Sequence, residues 1–360
     1  MANKILTEDL NYIKSRIEIK KFENSIILIT GAAGFLGYYF TNFFTHFSEE
    51  LKIKKIIALD NFLTGSKEWL ENLADKYPNK LILDNFDVIN DNIGDILNSA
   101  KADIIIHLAS IASPTFYRKY PIETMDANIL GLRKLLDYYK ERPIKSFLVF
   151  SSSEVYGDPD PNRVPLEEEY RGNVATTGPR ACYDEAKRFG ETMSYLFAEK
   201  YNLPIKIVRP FNNYGPGMNL NDKRVPADFA KAVFENRDIE IFSDGTPMRT
   251  FCYISDAITG YLKVITYDKF DIFNIGIDNP EISVKQLAEI YSSIGKKLFN
   301  YNGGIKLTES QEKEYLTHNP NRRCPSINKA RIKLDFHPTI LVEEGVERFL
   351  NFVKQNNGEL

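Results

Sequence analysis

The chain has 360 residues, 43% hydrophobic and 26% charged, with a formal net charge of −3. This length suits two domains or one large α/β domain with an appendage, and the apolar share is enough for a full core. The charge balance argues against a nucleic-acid or membrane partner, no apolar run approaches the ~20 residues that span a bilayer, and residues 1–23 lack the apolar core of a signal peptide, so a cytoplasmic protein is expected.

Leu6, Leu10, Ile13 and Ile17 predict a short amphipathic helix over residues 6–20, within an N-terminal extension covering 1–24. An apolar, β-favouring run (Ile26, Ile27, Leu28, Ile29) then stops at three glycines spaced three apart, Gly31, Gly34 and Gly37. Aromatic and aliphatic residues follow at helical spacing from Phe35 and Leu36. Strand, tight turn and helix in that order form a pyrophosphate cradle, because free N–H groups and the positive dipole end at the helix start favour an anion. Gly31, Gly34, Phe35 and Leu36 are the expected cofactor contacts.

The second apolar run, Ile56-Ile57-Ala58-Leu59, ends in Asp60 and Asn61. An acidic residue there can take both ribose hydroxyls of NAD and repels the extra phosphate of NADP. A third strand is predicted at 81–83. Beyond it, Asp87 is placed to meet the adenine amino group, with Val88 beside it. The fourth strand, 103–109, ends in Leu108 and Ala109, where the cofactor can lie close, followed by Ser110. A helix over 121–141, a fifth strand over 147–150, a helix over 181–200 and a sixth strand over 205–209 complete the alternation. The class is α/β, a Rossmann-type doubly wound parallel sheet, with the NAD-binding domain at 25–210. Residues 211–360 read mainly as a smaller lobe for substrate, with segments returning to the first domain.

Tyr183 and Lys187 lie four apart on one helical face. An ammonium near a phenol stabilises the phenolate and lowers its pKa, which would make Tyr183 a general base near neutral pH. Ser152, at the end of the fifth strand, can share a substrate hydroxyl with it. The histidines (His46, His107, His318, His337) show no metal-ligand spacing, so no metal is expected, and His107 reads as a strand-end packing or hydrogen-bonding residue. Cys182, Cys252 and Cys324 form no CxxC pair and read as reduced thiols.

Gly31-x-x-Gly34-x-x-Gly37, Ser152, Tyr183 and Lys187 together resemble the extended short-chain dehydrogenase/reductase superfamily, and within it the nucleotide-sugar epimerases, dehydratases and decarboxylases. Asp60-Asn61-Phe62-Leu63-Thr64-Gly65, the run from His107 to Pro114, Ser153-Glu154-Val155-Tyr156-Gly157, Gly178-Pro179-Arg180 up to Glu185, the run from Arg249 to Asp256, and Arg323-Cys324-Pro325 are similar to UDP-glucuronate decarboxylases. The resemblance implies a redox-neutral cycle with bound NAD: oxidation at C4 of the sugar, loss of the C5 carboxylate as CO2, and return of the hydride to C4. It implies Tyr183 as base, Lys187 on the nicotinamide ribose, and Ser152 on O4. Glu154 and Ser153 would face C5 and C6. Arg249 is a candidate for phosphate or for decarboxylation, Asn212 and Arg323 for the diphosphate, and Ser110 and Arg180 for the rest of the substrate. A homodimer through the helices at 121–141 and 181–200 is also implied.

The 4,6-dehydratases place Asp then Glu after the serine, and the Asp protonates the leaving hydroxyl. This chain has Ser153-Glu154, which favours decarboxylation. The decarboxylases commonly read Gly-Pro-Arg-Met where this chain reads Gly215-Pro216-Gly217-Met218, so a guanidinium is absent: either the base differs from uracil or the sugar from glucuronate, or Arg224 or Lys223 fills the gap. The rival readings are an epimerase or dehydratase on another nucleotide sugar, a net oxidoreductase with exchangeable cofactor, and a silent sugar-nucleotide sensor. An intact Ser152, Tyr183 and Lys187 argue against the sensor.

Overall fold

The computed structural model describes residues 3–310 and 317–359. Seven parallel strands form the central sheet: β1 (Ile26–Thr30), β2 (Lys55–Asp60), β3 (Leu81–Asn85), β4 (Ile104–His107), β5 (Ser146–Phe150), β6 (Ile205–Pro210) and β7 (Ile272–Ile275). Their spatial order is β7-β6-β5-β4-β1-β2-β3. β1, β4 and β5 are buried throughout, as expected for parallel strands covered on both faces.

Successive side chains of β1 point to opposite faces. Ile27 and Ile29 join one core with Phe40, Phe43 and Tyr261, whereas Ile26 and Leu28 join the other with Leu135, Met193 and Phe197. The first face is covered by the helices α1 (Lys4–Lys14), α2 (Phe35–His46), α4 (Ile254–Ile265) and α5 (Val342–Gln355), and the second by Leu132–Tyr139 and α3 (Ala181–Tyr201).

The predicted helix over 6–20 is shorter than expected. α1 is capped by Asn3, whose side chain accepts from Leu6 N at 3.1 Å, and ends at Lys14. It is no loose appendage. Asp9 is fully buried and accepts from Tyr39 Oη (2.7 Å), Tyr253 Oη (2.8 Å) and Arg348 Nη1 (2.9 Å).

Beyond β6 the chain builds small ladders that position arginines. Met248–Arg249 is flanked by Ile282–Ser283 on one side and Arg322–Arg323 on the other. The parallel register sets Arg323 directly opposite Arg249. Residues separated by more than seventy positions are thereby delivered to one place.

Candidate active site

A cavity of about 850 Å³ lies beyond the carboxyl ends of the strands. Its wall includes the expected cofactor contacts Gly31, Gly34, Phe35, Leu36, Asp60, Asn61, Asp87, Val88, Leu108 and Ala109. The same wall carries Ser110, Ser152, Ser153, Glu154, Arg180, Tyr183, Lys187, Asn212, Arg249 and Arg323.

The sheet order reverses at β1, which has β2 on one side and β4 on the other, and in such sheets the ligand crevice forms at that point. Gly31 turns the chain there at φ +71°, and a Cβ on it would sit 2.7 Å from Ala109 N at the end of β4. α2 begins after Gly34 without a side-chain cap. A Cβ on Gly34 would meet only Gly31 O, at 3.4 Å, so the helix start is open to the cavity. Asp60 is anchored by Ala33 N to Oδ2 (2.9 Å) and Phe62 N to Oδ1 (2.7 Å), and burial raises its pKa. Each oxygen retains a lone pair for a ribose hydroxyl. Asp87 closes its own turn by accepting from Ile89 N at 2.9 Å. The buried Ser110 hydroxyl has no partner among the described residues and is available to a ligand.

Tyr183 and Lys187 both project from α3 into this cavity. The Tyr183 ring stacks on Tyr117 with centroids 5.2 Å apart and planes at 12°. Ser152 hydrogen-bonds the phenol and, with the Arg224 cation, lowers its pKa, but burial is stronger and pushes it up to about 12. Lys187 Nζ donates to Phe150 O at 2.7 Å and lies 5.5 Å from the Tyr183 ring centroid. Burial lowers the Lys187 pKa to about 7. The expected lowering of the phenol's pKa by the lysine is thus opposed by burial, which dominates at Tyr183. His107 Nδ1 lies 2.8 Å from Thr30 Oγ1, and burial lowers it to about 3, so it is a neutral tie between β4 and β1.

Near the Tyr183 phenol, Glu154 is gripped by two arginines. Arg323 Nη1 and Nη2 donate to Oε1 and Oε2 at 2.5 and 2.7 Å, and Arg180 Nη2 donates to Oε2. Despite its burial, these cations hold Glu154 at about 2. Arg323, expected at a diphosphate, pairs both terminal nitrogens with Glu154 and leaves Nε without a partner among the described residues. Asp184 stands behind Arg180, with Oδ2 3.4 Å from Nε, and burial together with the Glu154 charge raises it to about 7. Arg249 donates to the carbonyls of Met248 (2.8 Å) and Pro320, and burial beside Arg323 lowers it to about 9. Three guanidinium groups around one firmly ionised carboxylate leave excess positive charge, a seat for an anion.

Asn212 adopts φ +42° and gives one amide proton to Thr250 O at 2.8 Å. Gly217 has φ +83°, and a Cβ there would lie 2.6 Å from the Tyr38 ring, so the guanidinium seen in similar sequences has no room. Arg224 lines the cavity close by, paired to Asp222 at 2.5 and 2.8 Å, with its guanidinium carbon 5.8 Å from the Phe35 ring. Two residues of this site escaped the sequence reading. Tyr117 carries no local signal, because its partner Tyr183 is distant in sequence. Asp184 had one, its four-residue spacing from Arg180.

Comparison with known proteins identifies the group. The profile of the NAD dependent epimerase/dehydratase family matches residues 27–276. The chain belongs to that family. The chain is 35% identical over 333 residues to UDP-glucuronic acid decarboxylase 1 of Xenopus tropicalis, covering 91% of this chain and 72% of that protein. Against UDP-glucuronic acid decarboxylase 6 of Arabidopsis thaliana it is 35% identical over 327 residues, covering 90% and 87%. The fold matches UDP-glucuronic acid 4-epimerase from Bacillus cereus, solved with UDP-glucuronic acid and NAD, at a TM-score of 0.76 and 24% identity, covering 92% and 99% of the two chains. The family's NAD fits this cavity: the helix start is open beside Gly34, Asp60 keeps ribose-binding capacity, and no residue of the cradle fills the space.

Proposed function

We propose that this enzyme is an NAD-dependent nucleotide-sugar decarboxylase that converts UDP-glucuronate to UDP-xylose. The observation that carries the reading is the sugar end of the cavity, where Glu154 is clamped by Arg180 and Arg323 and preceded by Ser153. A group held ionised at about 2 cannot act as the acid that water loss requires, and Ser153 is not one. The relatives at 35% identity over nine-tenths of the chain support the same reaction.

When bound, NAD supplies a hydride acceptor for C4, the means of returning the hydride, and a positive charge beside Tyr183. The chain supplies the rest. Tyr183 takes the O4 proton while Ser152 orients that oxygen, and Lys187 holds the ribose. The resulting C4 ketone lies β to the C6 carboxylate, so its C5–C6 bond can break with the electron pair moving onto O4. Tyr183 and Ser152 can hydrogen-bond that oxyanion. Arg249 donates only to backbone carbonyls among the described residues and is the cation left for the C6 carboxylate. C5 then takes a proton from solvent water, and Tyr183 returns its own to O4 as C4 is reduced.

Epimerisation or dehydration of another nucleotide sugar is the second reading, favoured by Gly217 alone. Mass spectrometry after incubation with NAD+ and a nucleotide-sugar panel separates the two. A UDP-glucuronate product lighter by CO2, with no net NADH, is expected. Unchanged UDP-glucuronate beside isomerised or dehydrated product from another sugar would transfer the function to the second reading.

The reading includes a homodimer in the cytoplasm. Ile122, Phe189 and Leu196, on the helices expected to pair, are 62%, 52% and 56% exposed, apolar surface that a second copy would cover. No helix among the described residues is long and apolar enough to cross a membrane.

A further inference from the structure

One buried polar network adjoins the catalytic helix and reaches the cavity wall at Ser151. Tyr183, Lys187 and Glu191 follow at four-residue spacing on α3 and so share a face. Glu191 is absent from the cavity wall. Its carboxylate accepts from Ser151 Oγ at 2.5 Å and from Arg209 Nε and Nη2 at 2.8 and 2.6 Å. Arg209 Nη1 also donates to Tyr156 Oη (2.7 Å) and Glu168 O (2.9 Å), and Tyr156 Oη donates to Asn274 Oδ1 (2.7 Å). This network ties α3 to β6, β7 and the carboxyl end of β5.

Ser151 stands between Phe150, whose carbonyl takes the Lys187 ammonium, and Ser152, which meets Tyr183. A clamp on Ser151 therefore fixes both neighbours. The groups facing Lys187 are Tyr183 and Glu191 on its own helix, the neutral His107 from β4, and Phe150 O from β5; Arg209 from β6 lies behind Glu191. Of these, Phe150 O accepts from the ammonium, and the Glu191 carboxylate is the opposite charge that favours it.

We propose that Glu191 is a positioning residue for the Tyr183–Lys187 pair: held by Arg209 and Ser151, it favours the ammonium form of Lys187 and fixes the end of β5. The proposal rests on Tyr183 and Lys187 being the working pair, not on which sugar is the substrate. Arg209 sets its strength. With the fork in place the Glu191 charge is partly neutralised, so the lysine receives enough stabilisation to be protonated without forming a closed ion pair that would withhold it from the ribose.

The test uses the full chain labelled with 13C-lysine, titrated by NMR without substrate, the Lys187 signal being assigned by its loss in Lys187→Met. Glu191→Gln should move the Lys187 midpoint down by about one pH unit, the size of one nearby charge. Arg209→Gln, which unmasks the Glu191 charge, should move it up. Both changes break the same ion pair, so a merely structural role would shift both midpoints alike or not at all, and either result overturns the proposal. If Arg209→Gln does not fold, Glu191→Asp keeps the carboxylate, and its midpoint should lie above that of Glu191→Gln; no difference between the two would overturn the proposal. Because no substrate is present, the outcome is independent of the decarboxylase reading.

Discussion

Tyr183 carries the chemistry at the scale of single residues. Replacing it by Phe keeps the ring on Tyr117 and removes the proton carrier. Turnover should fall by about 10²–10⁴-fold, with NAD and nucleotide-sugar affinity little changed. A rate assay beside calorimetric titration checks this, and an undiminished rate would remove Tyr183 from the mechanism. Glu154 allows a second prediction. Its folded pKa of about 2 lies below the ordinary 4.5, so its contribution to stability is present above about pH 4.5 and is lost as pH falls towards 2. Arg323→Leu leaves a buried carboxylate with Arg180 alone and should cost roughly 3 kcal/mol at neutral pH. Denaturant unfolding at pH 7 and pH 3 should show the gap between variant and wild type narrowing in acid. The identity of these residues was legible in sequence, but their electrostatics were not. Four-residue spacing placed Lys187 beside Tyr183, whereas the burial that raises one pKa and lowers the other comes from distant segments, Ile111 and Tyr117 against the phenol and the end of β5 against the ammonium.

The informative element is α1. Its apolar positions predicted a helix, but not what Asp9 does there. Asp9 joins the pyrophosphate helix through Tyr39, the strand after Arg249 through Tyr253, and the C-terminal helix through Arg348. Burial raises its pKa from 3.8 to about 6. The folded state therefore binds this proton more tightly than the unfolded one. The associated stability is fully present below about pH 4 and is lost as pH rises through 6, a swing on the order of 3 kcal/mol. Asp9→Asn should flatten the stability profile between pH 4 and 7, measured by urea midpoints; an unchanged slope would mean that Asp9 does not titrate in this range. The six strands up to Pro210 were legible because each is a run of β-branched and aliphatic residues. β7 was not. It has four residues, and its partner β6 lies some sixty positions earlier, so no local pattern announces it. The two-residue ladder that pairs Arg249 with Arg323 is equally silent, since its register is set by the packing of the whole lobe.

For the whole molecule, the exposed apolar stripe on α3 makes the assembly testable. Sedimentation should give twice the 41.4 kDa of one chain, and the pair Phe189→Asp and Leu196→Asp should return it to a monomer that still binds NAD. A wild-type monomer would reject the dimer. The redox-neutral cycle sets a second global expectation: NAD should need no exchange during turnover, because each hydride removed is returned. Length and element order were enough to foresee a doubly wound sheet, whereas the seating of α1 under the same core as α5 required the folded chain.

The contact between Tyr38 and Gly217 also bears on ancestry and redesign. Tyr38 packs against Trp69 with centroids 4.8 Å apart and meets a Cβ placed on Gly217 at 2.6 Å. A lone Gly217→Arg should give little soluble enzyme, because it meets both the ring and a left-handed backbone. Paired with a smaller residue at 38, the same change should be tolerated better. The two positions act as one unit: an ancestral or redesigned chain with a longer side chain at 217 needs a smaller residue at 38 as well.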